Sequence, residues 1–187
     1  MASTIQVDKI QDTGGNTILQ SDGSGTATTT LPVGFGGTGA ATLAAAGLAN
    51  TPAFFGVLAS NQSISNNTWT KVLIATEKWD TDGTFASNKF TPAVAGKYLF
   101  TYGFSQDVID DSERVDMQLY KNGVAYGFGY IQTSSPGTNI PSGYMGSVPV
   151  EMNTTDYVEL YIYQSSGETA TLYANRTTFS AMKIIGA

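Results

Sequence analysis

Two residue types are missing altogether: the chain has no cysteine and no histidine. Without cysteine there is no disulfide, no thiolate nucleophile and no cysteine-based zinc site. Without histidine the commonest general base, the usual partner of a nucleophilic serine and the commonest transition-metal ligand are gone. Carboxylates and lysines still allow some chemistry, so catalysis is disfavoured and not excluded. Charge is scarce too. Only 13% of residues are charged, about half the usual share for a soluble domain. That scarcity suits a surface partly covered by other chains. The net charge is −6 with no run of Lys or Arg, so neither nucleic acid nor membrane insertion is expected. No apolar stretch approaches the roughly 20 residues of a membrane span. Met1 to Ile5 show no basic segment leading into an apolar one, so no secretory signal is expected.

What is abundant points to strands and turns. There are 21 Gly, 10 Tyr and 9 Phe, and 41% of the chain is apolar, enough for a packed core. Composition breaks near residue 52. Residues 1–52 contain no Trp or Tyr and a single Phe, Phe35. Such a segment cannot build its own core, whereas residues 53–187 hold the remaining aromatics and can. The expected layout is a short extended N-terminal arm with a Gly/Thr/Ala-rich linker (1–52), then a head domain (53–187).

Within the arm, Ile5, Val7 and Ile10 precede the turn cluster Asp12 to Asn16, and Ile18 and Leu19 follow it. This predicts a small hairpin. A lone hairpin is marginal in water, so these five apolar residues are the expected attachment surface for a partner or for copies of the chain. Ser21 to Gly25 reads as a flexible link. The Ala-rich run 41–47 predicts a short helix ending near Gly47. Gly34 to Gly39 lacks the Lys-Ser/Thr that would complete a phosphate loop and reads as a linker.

The head shows about ten strand-like runs: 54–59, 69–75, 83–90, 97–106, 114–121, 124–132, 143–151, 156–164, 169–175 and 178–185. Tyr98, Phe100, Tyr102 and Phe104 alternate with smaller residues, as do Val115, Met117 and Leu119, and Val158, Leu160 and Ile162. Period-two alternation predicts half-buried antiparallel strands. Asn122-Gly123 is the strongest short hairpin signal. No long helical period appears. The pattern predicts an all-β sandwich, jelly roll or barrel.

The order of motifs then narrows the choice. The segment from Phe90 through Gly96, Tyr98 and Phe100 to Tyr102 resembles the signature of the globular head of complement component one subcomponent q (C1q), which shares the tumour-necrosis-factor-like jelly roll. Leu119 to Gly123 resembles that family's Leu-x-x-Asn-Gly hairpin, and Asp156 to Leu160 its Asp-x-Val-x-Leu strand. Phe179-Ser180-Ala181 resembles its closing Phe-Ser-Gly strand, with Ala181 replacing the Gly. The resemblance covers about residues 53–187. It implies an antiparallel jelly-roll sandwich packed as a homotrimer. In the arm, Val7 to Ile18 resembles the start of many fibre-like proteins of tailed bacteriophages. Gly36-Gly37-Thr38-Gly39-Ala40 is similar to a linker in phage tail fibres. These two imply attachment to other virion proteins, with assembly in a host cytoplasm and localisation in the virion.

Candidate sites carry competing readings. Tyr98, Phe100, Tyr102 and Phe179 are expected in the core or a trimer interface. So are Tyr126, Phe128 and Tyr130, whose rings alternate with Gly; an aromatic surface for sugar rings is the other reading of that strand. Trp69 is expected to face the core, and Trp79 is open. Asp107, Asp110, Asp111 and Glu113 gather four carboxylates in seven residues. A solvated inter-strand loop and a calcium site, which some family members possess, both fit; the spacing is not that of an EF-hand. A glycosidase-type carboxylate pair is a remote reading. Asp80 and Asp82 read as a turn. No other cofactor is expected. The sequence thus favours a non-enzymatic phage virion protein, a trimeric fibre or spike that recognises a host-surface glycan or protein. A capsid decoration (cement) protein is the alternative, and a polysaccharide depolymerase the remote one.

Overall fold

A computed structural model describes residues 8–21, 23–24, 49–108, 113–127, 130–132 and 141–184. The expected helix at 41–47, the linker 25–48, Ile5, Val7, Asp110, Asp111 and Phe128 lie outside the described residues. The chain forms two compact units that divide between Ala49 and Asn50.

The described part of the first unit is an antiparallel hairpin of β1 (Lys9–Gln11) and β2 (Thr17–Gln20), with a register slip at Ile10/Gln11. Its turn is organised by one side chain. The Asp12 carboxylate accepts hydrogen bonds from Gly14 N (2.9 Å), Asn16 N (2.8 Å) and Asn16 Nδ2 (2.8 Å). These bonds, that from the Asn16 side chain foremost, hold its pKa below the ordinary Asp value. Ile10 and Ile18 are exposed and Leu19 is half-buried.

The second unit contains β3 (Ala53–Val57), β4 (Gln62–Ile64), β5 (Thr70–Lys71), β6 (Thr76–Asp80), β7 (Phe85–Ala86), β8 (Lys89–Phe90) and β9 (Gly96–Val108). After these come β10 (Arg114–Lys121), β11 (Val124–Tyr126), β12 (Tyr130–Gln132), β13 (Pro141–Met152), β14 (Val158–Gln164), β15 (Ala170–Leu172) and β16 (Thr178–Lys183). One sheet runs β4-β15-β9-β16-β3-β6, with β13 along the other edge of β9. The second runs β11-β10-β14-β8-β7, with β12 on β10 and β5 on β14. Every pairing is antiparallel. This is the expected all-β jelly-roll sandwich. Two expected single strands are in fact pairs. The run 83–90 folds into the β7–β8 hairpin because Ser87 and Asn88 both take positive φ (53° and 60°). The run 124–132 is divided into β11 and β12.

The core lies between the sheets. Tyr98, Phe100, Tyr102 and Phe104 of β9 face Val115, Met117 and Leu119 of β10 and Val158, Leu160 and Ile162 of β14; all are buried. At one end, Phe54 stacks on Phe85 (ring centroids 4.3 Å) and Phe90 (5.3 Å) and meets Phe179 edge-on (5.2 Å). Such offset and edge contacts add to the area each ring removes from water. Burial pushes the Tyr98 hydroxyl up to about 12, and that hydroxyl donates to Val94 O (2.5 Å), so the ring is buried without an orphan donor.

Candidate functional site

A sandwich has two outward faces, and here they differ in chemistry. On the sheet containing β9, strand register aligns the outward side chains in rows. Pro149, Leu99 and Met182 form one row, Ser147, Thr101, Ser180 and Phe55 the next, and Met145, Gly103 and Thr178 a third. Trp79 of β6 pairs with Phe55, with ring centroids 6.3 Å apart. No residue of these rows is charged; the first charges on β13 and β9 are the paired Glu151 and Lys97. Two of the hydroxyls satisfy each other within the sheet, Thr101 Oγ1 and Ser180 Oγ lying 2.9 Å apart. Apolar side chains are nevertheless open: Met145 is 75% exposed, Trp79 46% and Met182 44%.

The outward face of the other sheet is aromatic and polar. Trp69 packs on Tyr163 (centroids 5.5 Å) and Tyr120 (6.0 Å), and Tyr120 lies 4.1 Å from Tyr161. All four rings are half-buried. Trp69 is therefore not in the core between the sheets, contrary to expectation. It directly precedes β5, whose register on β14 pairs Thr70 with the core residue Ile162, and the next residue back along β5 turns to the opposite face. Burial raises the pKa values of Tyr120 and Tyr161, with a further push from the Tyr161 phenol on the first and from the Glu159 carboxylate on the second. Charged side chains sit among the rings in pairs. Lys71 Nζ lies 2.5 Å from Glu159 Oε1 and donates to Ser87 O (3.2 Å). Arg114 is ion-paired with the buried Asp116 and lies over the Tyr163 ring. Gln118 Nε2 donates to Gly127 O (2.7 Å), and Tyr163 Oη donates to Asn67 Oδ1 (2.8 Å).

No protein-family model and no curated protein matches the chain. Solved structures do. The globular domain of the zebrafish complement 1qA protein superposes with a TM-score of 0.50 at 16% identity, covering 72% of this chain and 98% of that one. Murine APRIL gives 0.51 at 11% identity, covering 71% and 98%. The head has the C1q-like jelly-roll fold. Two of the motifs that carried the resemblance meet in space within this C1q-like head. The Asn122-Gly123 turn (φ 53° and 77°) closes β10 onto β11. Asn122 Nδ2 donates to Asp156 Oδ1 (2.7 Å), Tyr157 N to Asn122 Oδ1 (3.0 Å) and Asn153 N to Asp156 Oδ2 (2.8 Å). Lys121 Nζ completes the knot 3.0 Å from Asp156 Oδ2. The hydrogen bond from the Asn122 side chain is the largest cause holding the Asp156 pKa at about 2.

Tyr98, Phe100, Tyr102 and Phe179 are core residues. Tyr126 is not in the core: it stands across from Leu119 on the edge strand β11 and is 36% exposed. An edge strand covers only one flank of a ring, which the period-two pattern cannot reveal. Tyr130 pairs with Asp116 in β12, with its side chain outside the described part. Asp107 Oδ1 accepts Thr171 N (2.6 Å), tying β9 to β15. Glu113 is half-buried. Among the described residues no group of three or more metal-ligating side chains assembles. Asp80 organises its turn as expected, accepting from Phe85 N (2.8 Å), Thr84 Oγ1 (3.1 Å) and Asp82 N (3.3 Å). The outward cluster of Trp69, Tyr120, Tyr161 and Tyr163 escaped the sequence reading. Its signal was Tyr161 and Tyr163 alternating with core residues of β14.

Proposed function

We propose that the chain is a structural protein of a tailed-phage virion. Three C1q-like heads associate, the N-terminal hairpin holds them to the particle, and the heads contribute to host-surface recognition. The observation that carries the trimer is the set of uncharged central rows on the outward face of the sheet containing β9. A monomer leaves Met145, Met182 and Trp79 in water, with the charges of β13 and β9 confined to the Glu151–Lys97 end of the central rows. Exposed apolar side chains gathered on one such face mark an association site, and a closed rotational assembly covers them without open-ended growth. Trimeric packing implied by the C1q resemblance supports the same reading.

Support for the virion assignment comes from the arm: the phage-like segment Val7 to Ile18, the linker string Gly36 to Ala40, and a hairpin whose Ile10 and Ile18 lie open to a partner. A trimer suits recognition because several weak contacts on one particle multiply into strong attachment. Sedimentation of the purified chain should give a trimer, and the trimer should bind host cells. A monomer overturns the assembly. Trimers that bind no cells, with heads seated against the capsid shell in a particle reconstruction, overturn recognition in favour of capsid decoration.

A further inference from the structure

We propose that the outward face of the β10–β14 sheet is a binding platform for neutral pyranose sugars. Trp69, Tyr163, Tyr161 and Tyr120 stack on the sugar rings, while Gln118, Lys71 and Glu159 hydrogen-bond the hydroxyls. This inference rests on the reading of the head as a surface-recognition module and names its ligand class.

Three observations lead to sugars. First, three tyrosines of β10 and β14 and Trp69, just before β5, pack ring against ring, and each keeps part of its surface in solvent. Cross-strand aromatic pairs stabilise the sheet, and tyrosine and tryptophan also offer a ligand large, rigid, amphipathic area at small entropic cost. The flat apolar face of a pyranose matches such a ring, and its hydroxyls match the polar groups beside it. Among the described residues no hydrogen bond occupies the Tyr120 or Tyr161 hydroxyl, whereas that of Tyr163 is held by Asn67.

Second, the charges are already compensated. Lys71 is paired with Glu159 and Arg114 with Asp116, and Lys89 lies at the rim, 4.8 Å over the Tyr157 ring. A strongly anionic or cationic ligand would have to break these pairs. A neutral polyol can use their outer donors and acceptors where they stand, on strands and not on loops, which is where a site is held most accurately. Third, the two faces of the sandwich divide the work. The opposite face has uncharged central rows with Met145 and Met182 exposed, the chemistry of a protein–protein contact. A head that associates through that face keeps the aromatic face free.

The chain has only two tryptophans, one on each outward face, so fluorine-labelled tryptophan gives each face its own resonance. Full-length protein is titrated with maltohexaose, cellohexaose, xylohexaose and mannohexaose. At least one should shift the Trp69 resonance and leave the Trp79 resonance in place. Trp69→Ala and Tyr161→Ala should each weaken that binding about tenfold, the size of a hot-spot residue, and weaken cell attachment with it. If a variant does not fold, the wild-type resonances alone decide. A Trp69 resonance that none of the four sugars moves overturns the platform. Undiminished cell binding by folded Trp69→Ala also overturns it while leaving surface recognition standing. A shifted Trp69 resonance without any cell binding keeps the platform and removes the recognition reading.

Discussion

Asp156 shows how much one carboxylate can organise. It joins the β10–β11 hairpin to the turn before β14 by accepting from Asn122 and Asn153 and by pairing with Lys121. These bonds act on the charged form, so the folded pKa falls from 3.8 to about 2. The sign follows directly. The stabilisation is present in full above the unfolded value and is lost as pH falls through the folded one. Comparing Tm of wild type and Asp156→Asn should therefore show a clear deficit for the variant near neutrality, shrinking as pH drops from about 3.8 towards about 2. A deficit independent of pH would mean that the carboxylate's charge is irrelevant. Gly146 is constrained differently. A Cβ there would stand 2.9 Å from the Tyr102 ring, which is fully enclosed by the core. Gly146→Val should cost about 1–3 kcal/mol through overpacking, measurable as a lower midpoint in chemical denaturation.

At the scale of elements, the legible parts were those in which a strand has one wet and one dry face. Alternation along β9, β10 and β14 identified Tyr98, Phe100, Val115, Met117, Leu119, Val158 and Ile162 as core, and all are buried. The pattern lost its meaning where both faces are filled or where a strand forms an edge. Trp69, Tyr161 and Tyr163 are large and half-buried on the outer face, so hydrophobicity alone assigned Trp69 to the wrong side. Tyr126 fits the same period as the core rings but stands on an edge strand. Phe54 was legible only as a member of a run. Its role as the hub of Phe85, Phe90 and Phe179 is a tertiary fact, because those rings arrive from β7, β8 and β16. Phe54→Ala should remove contacts with three elements at once. A loss of about 3–5 kcal/mol is expected from transfer and cavity terms, with denaturant unfolding as the measurement. A loss below about 0.5 kcal/mol, the size of an ordinary surface change, would show that the cluster repacks around the gap.

For the whole molecule, the question is which face meets another copy. The rows Pro149–Leu99–Met182 and Met145–Gly103–Thr178 give an uncharged strip across β13, β9 and β16, of which β9 and β16 are paired on both sides and β13 is the sheet edge, so a contact over this face proceeds through side chains. A glutamate at Met145, 75% exposed in one chain, would cost the isolated head little. In a rotational trimer it would enter the contact three times, desolvated and facing like charge, at a cost of several kcal/mol for the assembly. Met145→Glu should therefore keep its far-ultraviolet β spectrum and sediment as a monomer. The same change at Tyr161, on the aromatic face, should leave the trimer whole. If Met145→Glu stays trimeric, the contact between copies lies elsewhere on the head. If Tyr161→Glu dissociates it, the aromatic face is the contact, and the division of work between the two faces is reversed.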